Sequence, residues 1–255
     1  MCRLSDFPVA PDAKTRFSGR ASAYSKYRPS YPEGLIDVLH REGVLQKTST
    51  VADIGSGTGL LTQLFLKNGN DVFAVEPNAD MRSAAENLLS AYPGFHSANG
   101  SAESTGLSGG SVDLVVAGQA FHWFSPAEAK KEFGRISRNG TVAVIYNTRD
   151  DAEGLGLDYR KLTARFGRNF SEVMGPVEDR LRVFFSSYKL LTLPNPKQLD
   201  LDSLLGRLLS ASYMPAEGEA GYEAMVAEVE EMFARHESGG MVTMRMTTEL
   251  FLGTV

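Results

Sequence analysis

The chain has 255 residues, a length that suits one large α/β domain or one domain with an insertion. Of these residues 42% are apolar and 22% charged, and the formal net charge is −5. The charge balance gives no sign of a nucleic-acid partner, and the single cysteine, Cys2, excludes an intrachain disulfide and a cysteine-based metal site, so we expect no metal. Because no basic flank precedes an apolar run at the N-terminus, and no apolar run approaches the roughly 20 residues that cross a bilayer, we expect a cytoplasmic protein without membrane contact.

Residues 1–45 have the least regular pattern of the chain. They begin polar and aromatic, without strong periodicity. Pro32 then opens a predicted helix with apolar Leu35, Ile36 and Leu39, since proline is tolerated in the first turn of a helix. We therefore treat this segment as separate from the regular core that follows.

Strands and helices alternate regularly over residues 46–150. Short apolar strands are predicted at 51–54, 72–75, 95–98, 112–117 and 141–146. The helices between them have apolar residues at spacings of three and four, and the first stops at Asn68-Gly69-Asn70. Ser125, Pro126 and Glu128 predict a capping box, in which Ser125 accepts a backbone N–H and Glu128 reaches back. Five alternations in about 100 residues predict a parallel sheet with helices on both faces.

The pattern changes after residue 150. Helical regions are predicted at 151–187 and 200–237, and short strands at 188–193 and 241–252. The last segment alternates between two faces, Val242, Met244, Met246, Leu250 and Leu252 against Thr243, Arg245, Thr247, Glu249 and Phe251. We expect this strand to pair antiparallel with 188–193 at one edge of the sheet. Glutamates on the outer face of the second helical region form either a partner surface or, more simply, a solvated face.

These elements together predict an α/β fold with a Rossmann-like, doubly wound sheet. The sheet is expected to be mostly parallel, with an antiparallel C-terminal edge strand. Residues 46–150 form its core, and the strands at 188–193 and 241–252 close it. The helical regions form an insertion outside the sheet.

The glycine-rich sequence Asp53-Ile54-Gly55-Ser56-Gly57-Thr58-Gly59 stands between the first strand and the next helix. Glycines allow a tight turn and the close approach of a ligand, and the helix N-terminus offers free N–H groups with partial positive charge. The arrangement predicts a nucleotide pocket, although a bare tight turn has the same local pattern. The dinucleotide fingerprint G-x-G-x-x-G needs a glycine where this chain has Leu60, and the Walker pattern is absent.

Glu76 follows the second predicted strand, 21 positions after Gly55. A carboxylate at this place can accept hydrogen bonds from both ribose hydroxyls of a nucleoside. It suits an uncharged adenosine end rather than a 2′-phosphate. Taken by itself, Glu76 could equally be a surface carboxylate.

Four motifs of the chain resemble those of a known family. The sequence from Asp53 to Gly59 resembles the first motif of class I S-adenosylmethionine (SAM)-dependent methyltransferases, and Glu76-Pro77-Asn78 with Met81 resembles the second. Residues 100–103 and 112–115 resemble the third and fourth. These motifs are specific for SAM binding.

The resemblance to class I methyltransferases covers about residues 45–147. Further segments within 17–32, 119–124 and 209–215 resemble a subgroup of trans-aconitate methyltransferase-like proteins, which have a type 11 methyltransferase domain. The subgroup resemblance says little about the methyl acceptor.

The resemblance also implies how the cofactor SAM is held. Gly55 and Gly57 would face its methionine portion, Glu76 would bind the ribose, and Pro77 with Met81 would line the adenine. The implied cofactor contacts are Tyr24, Tyr27, Arg28, Asp53, Gly55, Ser56, Gly57, Gly59, Glu76, Pro77, Met81, Ser101, Ala102, Glu103, Gln119, Ala120, His122 and Trp123.

Arg28 and His122 are the candidate catalytic residues. Arg28 either pairs with the methionine carboxylate or an acidic substrate, or lies on the surface beside Pro29. His122 is either a general base or part of the pocket wall. The resemblance implies that residues 1–45 form an N-terminal cap over the cofactor, in which Tyr24 and Tyr27 either close over the cofactor or serve in plain packing.

The chemistry of the acceptor decides which groups are needed. A carboxylate is already ionised at neutral pH, so it needs a cationic anchor, for which Arg28 and Arg149 are candidates. A hydroxyl, amine or carbon acceptor needs a base such as His122 or a tyrosine. We expect the helical regions to form a substrate lid, with a substrate pocket lined by Tyr146, Arg149, Ser212 and Tyr213.

These observations predict a SAM-dependent methyltransferase that acts on a small molecule, a carboxylate being one candidate, and releases S-adenosylhomocysteine (SAH). One alternative is a non-catalytic, regulatory SAM-binding protein. A nicotinamide oxidoreductase is the other, and Leu60 argues against it. We expect a monomer or homodimer without nucleic-acid or membrane partners.

Overall fold

The structure, a computed structural model, describes residues 30–168, 177–211 and 213–255, without the side chain of Glu178. Its main sheet has the strand order β3-β2-β1-β4-β5-β9-β6. These strands are β1 (Thr50–Ile54), β2 (Asp71–Val75), β3 (Phe95–Ala98), β4 (Leu114–Gly118), β5 (Thr141–Arg149), β6 (Ser187–Pro194) and β9 (Met246–Thr254).

Strands β1 to β5 pair parallel to one another, as the alternating sequence predicts. The antiparallel pairing of the C-terminal strand is also confirmed, because β9 pairs with β6 with Leu250 opposite Leu191. β9 pairs antiparallel with β5 on its other side. The C-terminal strand therefore lies one place inside the edge, and β6 is the edge strand.

Helices cover both faces of the sheet, which confirms the doubly wound fold. They are α1 (Gly34–Arg41), α2 (Leu60–Asn68), α3 (Ala79–Leu89), α4 (Pro126–Ile136), α5 (Gly154–Phe166), α6 (Val177–Phe184), α7 (Leu201–Leu209) and α8 (Tyr222–His236). One buried cluster joins α1 and α2 to one face through Leu39 and Phe65. A second joins α4 and α6 to the other face through Phe133 and Phe184.

A third apolar cluster lies among α5, α7, α8 and a small two-stranded sheet. That sheet pairs β7 (Lys197–Leu199) with β8 (Val242–Met244). The single strand expected at 241–252 is therefore split between two sheets. Arg245 lies at the break, where its exposed side chain forms ion pairs with Asp150 and Glu153.

Phe251 contradicts the simple alternation that was expected for the last strand. It was placed on the polar face, but it is 7% exposed. Because helices cover both faces of β9, Phe251 packs in one cluster while Leu250 and Leu252 pack in the other. A strand that is buried on both faces does not need a polar face.

The capping box expected from Ser125 and Glu128 does not form at the start of α4. Pro126 does occupy the first turn, but the Ser125 side chain makes no capping hydrogen bond to the helix backbone. The Ser125 hydroxyl instead donates to the Glu128 carboxylate. The Ser125 backbone N–H donates to Glu103 Oε1 at 2.9 Å, so a distant glutamate fills the role expected of Glu128.

No helix in residues 30–168, 177–211 or 213–255 combines the length and apolar character needed to cross a bilayer.

Candidate functional site

The carboxyl ends of the parallel strands β1 to β5 lie at one edge of the sheet. β1 lies between β2 and β4, and the helices that follow β1 and β4 pack on opposite faces. In open α/β sheets this switch in direction leaves a crevice that binds ligands. The loop after β1 (55–59), Glu76 after β2 and the turn after β4 (119–124) line this crevice, which we call the cradle.

The glycine loop needs its glycines for two different reasons. Gly55 has φ 69°, and a Cβ at this position would lie 2.7 Å from the Ala120 Cβ. Gly59 has φ 83°, and its Cβ would lie 2.5 Å from Leu89 Cδ1. A Cβ on Gly57, at φ 57°, would meet no atom within 4 Å. Gly55 and Gly59 therefore permit close packing, while Gly57 borders open space.

Glu76 is a buried carboxylate rather than a surface one, with 8% exposure. Its Oε2 accepts the Gly57 N–H at 2.9 Å, and its Oε1 accepts the Asn78 N–H at 2.8 Å. Burial raises the pKa of Glu76, and these two hydrogen bonds oppose the rise. Each carboxylate oxygen has two acceptor positions, so Glu76 can bind the loop and still accept from two ligand hydroxyls.

Asp53 lies beneath the loop with 1% exposure. Its Oδ2 accepts the Thr62 hydroxyl at 2.6 Å, and burial raises its pKa to about 7. Within the part of the chain that the structure describes, Asp53 Oδ1, Ser56 Oγ and Thr58 Oγ1 are buried without a hydrogen-bond partner. Buried polar atoms are usually satisfied. Three such atoms therefore lie around one glycine loop, and hydrogen-bonding capacity at this place remains unused by the chain itself.

The turn after β4 forms the opposite wall of the cradle. Gln119 adopts φ 55°, and its side-chain amide donates to the Asn147 carbonyl at 3.0 Å. A short 3-10 turn then presents His122 and Trp123, whose ring centroids are 4.8 Å apart. His122 Nδ1 lies 3.4 Å from the Tyr146 hydroxyl. The structure thus brings together His122, Trp123 and Tyr146, which the sequence had predicted for this site.

Arg180 is a functional candidate that sequence reasoning missed. It is 7% exposed on α6 and donates to the Phe124 carbonyl, directly after the turn that presents His122. Its charge also acts on Tyr146, although burial of the phenol still raises the pKa of Tyr146. The available signal was an arginine beside the apolar residues Leu181 and Phe184, where a solvated side chain is not expected.

Two predicted substrate residues have other contacts in the structure. Arg149 forms an ion pair with Asp151, and its guanidinium lies 4.2 Å from the centre of the Tyr159 ring. Tyr213 packs in the helical cluster, where its carbonyl accepts the Arg168 N–H at 2.9 Å. Their roles toward a substrate stay predictions.

Of the other residues predicted for the site, some lie within the described part of the chain and some lie outside it. Met81 and Ala102 are buried, 3% and 4% exposed, and Ser101 forms an isolated bridge with Ser104. Pro77 is half-buried between Glu76 and the start of α3. Outside the described residues lie Tyr24, Tyr27, Arg28 and Ser212.

A separate cleft of about 690 Å³ lies beside α5 and β8, away from the glycine loop. Asp150, Glu153, His236 and Arg245 contribute its charged lining. Arg245 is ion-paired with Asp150 and Glu153, and His236 Nε2 lies 2.9 Å from Asp158. The charged side chains of this cleft thus have partners, unlike Asp53 Oδ1.

Comparison with known proteins identifies the family. Residues 52–145 match the family model of a methyltransferase domain. An uncharacterized methyltransferase of Mycobacterium tuberculosis is 34% identical over 186 residues, which cover 72% of this chain and 67% of the relative. The chain belongs to this methyltransferase family. An uncharacterized methyltransferase-like protein of Schizosaccharomyces pombe is 35% identical over 142 residues, which cover 55% of this methyltransferase and 54% of the relative.

Solved structures confirm the methyltransferase fold. A protein of Anaeromyxobacter dehalogenans, provisionally described as a type II methyltransferase, has a TM-score of 0.68 at 23% identity, covering 89% of this chain and 98% of that one. A provisionally described methyltransferase of an antibiotic biosynthesis pathway in Anabaena variabilis has a TM-score of 0.54 at 21% identity, covering 95% and 100%. These likenesses concern the fold alone, and the trans-aconitate-like subgroup stays a prediction.

Proposed function

We propose that this methyltransferase transfers a methyl group from SAM to a small-molecule acceptor. The observation that carries the proposal is the unsatisfied Asp53 Oδ1 beneath the loop that Glu76 binds through Gly57. SAM, when bound, supplies an electrophilic methyl carbon on a positively charged sulfur, with a neutral thioether as leaving group.

The residues of the cradle match the polar groups of that cofactor. Glu76 retains acceptor positions for two ribose hydroxyls, and Asp53 offers a carboxylate oxygen to the methionine amine. Gly57 leaves room for the ligand to approach the backbone. Met81 and Pro77 offer apolar surface for the adenine, as the resemblance implies.

The catalytic demand on the protein is mainly alignment. Holding two reactants in the reactive geometry can supply on the order of 7–11 kcal/mol. Phe121 and Phe124 are buried behind the His122 turn, with 0% and 7% exposure, and they keep water from that side of the cradle. The chain would therefore act by orienting the acceptor and excluding water.

We propose a carboxylate as the acceptor group. It needs no general base, because it is ionised at neutral pH, and it needs a nearby cation. Arg180 supports this narrower proposal better than Arg149, since Arg180 lies beside Tyr146 and Phe124 at the cradle, whereas Arg149 is paired with Asp151.

An acceptor that loses a proton would use His122 instead. Burial raises the pKa of Tyr146, so its phenol stays protonated at neutral pH. A phenol that donates to His122 Nδ1 would leave the proton of the imidazole on Nε2. His122 would then have to change tautomer or rotate to accept a proton, and this disfavours it as the base.

The two alternatives, a nicotinamide oxidoreductase and a regulatory SAM-binding protein, differ from the proposed function in sequence or in activity. In a nicotinamide oxidoreductase the third fingerprint position would be glycine, but here it is Leu60, the first residue of α2. A regulatory SAM-binding protein would bind the cofactor and transfer nothing. The other proposals are a cytoplasmic monomer or homodimer without nucleic-acid or membrane partners.

Product identification separates these functions. The full chain is incubated with methyl-labelled SAM and a metabolite extract, and mass spectrometry locates the label, with Glu76→Ala as the control. A labelled small molecule that depends on Glu76 supports the proposal. Label on nitrogen, carbon or an alcohol oxygen would sink the carboxylate assignment alone. Binding without any transfer would favour the regulatory protein.

A further inference from the structure

A hydrogen-bond chain centred on Asn147 and Asn195 joins five segments at the carboxyl edge of the sheet. The Asn195 side-chain amide donates to the Ser30 carbonyl at 3.0 Å and to Asn147 Oδ1 at 3.1 Å. The Thr248 hydroxyl donates to the same Asn147 oxygen at 2.6 Å. The Gln119 side chain donates to the Asn147 carbonyl. These hydrogen bonds thus link the segment before α1, the end of β4, the end of β5, the connection from β6 to β7, and β9.

Asn195 is held in place by its own backbone. It lies between Pro194 and Pro196 in the connection from β6 to β7, and proline fixes the φ angle of the chain. Its backbone N–H donates to the Met246 carbonyl at 2.8 Å, and the residue is 4% exposed. Both protons of its side-chain amide have acceptors, so removing the amide would take the donor from the Ser30 carbonyl and one of two donors from Asn147 Oδ1, which would keep the Thr248 hydroxyl.

Gln119 connects this chain of hydrogen bonds to the glycine loop. Its φ of 55° is unusual for a residue other than glycine, and its contacts with Asn147 and with the Ile145 carbonyl hold that conformation. The next residue, Ala120, leaves no room for a Cβ on Gly55. A displaced Asn147 would therefore move the wall of the cradle against the loop.

Ser30 connects the same hydrogen bonds to the other side of the cradle. The hydroxyl of the next residue, Tyr31, occupies the space that a Cβ on Gly118 would need. Gly118 is the last residue of β4 and directly precedes Gln119. The Ser30 hydroxyl also accepts from Lys197 Nζ at 3.2 Å. Ser30 and Tyr31 are thereby fixed where β4 enters the cradle.

We propose that Asn195 is a positioning residue for cofactor binding. It holds Ser30 and Tyr31 on one side and, through Asn147, the Gln119–Ala120 turn on the other, so that both walls of the cradle stand at the spacing that the cofactor needs. The inference rests on the proposed SAM binding. Loss of Asn195 should weaken binding of SAM and SAH about tenfold and raise KM for SAM, while kcat at saturating SAM changes less than about twofold.

The test compares two variants of Asn195 with a control variant of another amide residue, Gln198. Asn195→Ala removes the side chain, and Asn195→Asp keeps its shape but removes both donors. Gln198→Ala is the control, because Gln198 is an exposed amide on β7 that hydrogen-bonds to Thr243. SAH affinity is measured by calorimetry, KM and kcat by methyl transfer, and hydrogen exchange follows the peptide containing Ser30 and Tyr31.

The expected result is weaker SAH binding, a higher KM for SAM and faster exchange of that peptide in both Asn195 variants, with Gln198→Ala unchanged. A lower melting temperature with unchanged SAH affinity would overturn the inference and leave a merely structural role. If Asn195→Ala does not fold, the same measurements are made on Asn195→Asp and on Thr248→Val, the second of which removes the hydroxyl donor to Asn147. The same two outcomes then support or overturn the inference. Failure of the unaltered chain to bind SAM would instead overturn the proposed function.

Discussion

Gly57 donates its backbone N–H to Glu76 Oε2 at 2.9 Å, so the carboxylate after β2 holds the loop that follows β1. The other carboxylate oxygen accepts the Asn78 N–H at the start of α3. One buried side chain therefore shapes the cradle and, in the proposed function, also binds the ribose.

The first prediction concerns the charge of Glu76. Glu76→Gln keeps the shape but turns an amide group toward a backbone N–H, so we expect SAH affinity to fall about tenfold to a hundredfold. A ligand that binds only the folded state stabilises it by RT ln(1 + [L]/Kd), so a given SAH concentration should raise the melting temperature of this variant less than that of the unaltered chain. Glu86→Gln, on the exposed face of α3, should keep the full stabilisation; equal losses in both variants would contradict the prediction.

The second prediction concerns the pH dependence of stability from Asp53. Its pKa rises from 3.8 to about 7 on folding, so the folded state retains a proton that the unfolded state has lost. The contribution of Asp53 is fully favourable below pH 3.8 and disappears as the pH rises through about 7. Asp53→Asn cannot ionise, and the ligand-free variant should gain on the order of a few kcal/mol over the unaltered chain by pH 8.5.

Chemical denaturation of both proteins at pH 5 and pH 8.5 measures that gain. The difference between the two free energies of unfolding cancels other titrating groups. A difference that does not grow with pH would show that Asp53 is ionised at neutral pH in the folded protein.

The third prediction separates conformational strain from ligand contact in the glycine loop. Gly57 and Gly43 both have positive φ, 57° and 72°, and a Cβ on either would meet nothing within 4 Å. Alanine at either position should cost about 1–2 kcal/mol in stability. Only Gly57→Ala should also weaken SAH binding, because Gly57 borders the cradle. Calorimetry showing equal SAH affinity in both variants would mean that the open space at Gly57 is not used.

The fourth prediction distinguishes the two kinds of acceptor. For a carboxylate, Arg180→Met should raise the acceptor KM about tenfold or more, and His122→Gln should leave kcat within about threefold. Arg182→Met, exposed on the same helix, should leave both constants unchanged. Steady-state kinetics with the identified acceptor give the answer. Loss of kcat in His122→Gln with an unchanged KM in Arg180→Met would assign His122 as a general base.

The centre of the sheet was predictable because β1, β4 and β5 are buried on both faces and therefore appear as short apolar runs. Local pattern could not show that Arg245 marks a break between two sheets, since Met244 and Met246 continue the alternation. The second face that covers Phe251 is likewise formed by distant segments. Such errors arise where tertiary contacts, rather than local sequence, decide the environment.

The candidate site shows the same contrast between features set by local sequence and features set by distant contacts. The glycine loop and Glu76 lie within about one strand–helix–strand unit, so their spacing carries information. Arg180 reaches Phe124 across 56 positions, and Asn195 reaches Ser30 across 165. No sequence motif links those pairs, and only the folded arrangement brings them to the cradle.

Calorimetric titration of SAM into the intact protein tests the central claim most directly. We predict saturable binding at one site per chain, competition by SAH, and no heat with either nicotinamide dinucleotide. Absence of binding at millimolar SAM, in a protein shown to be folded, would contradict the assignment of the cradle to this cofactor.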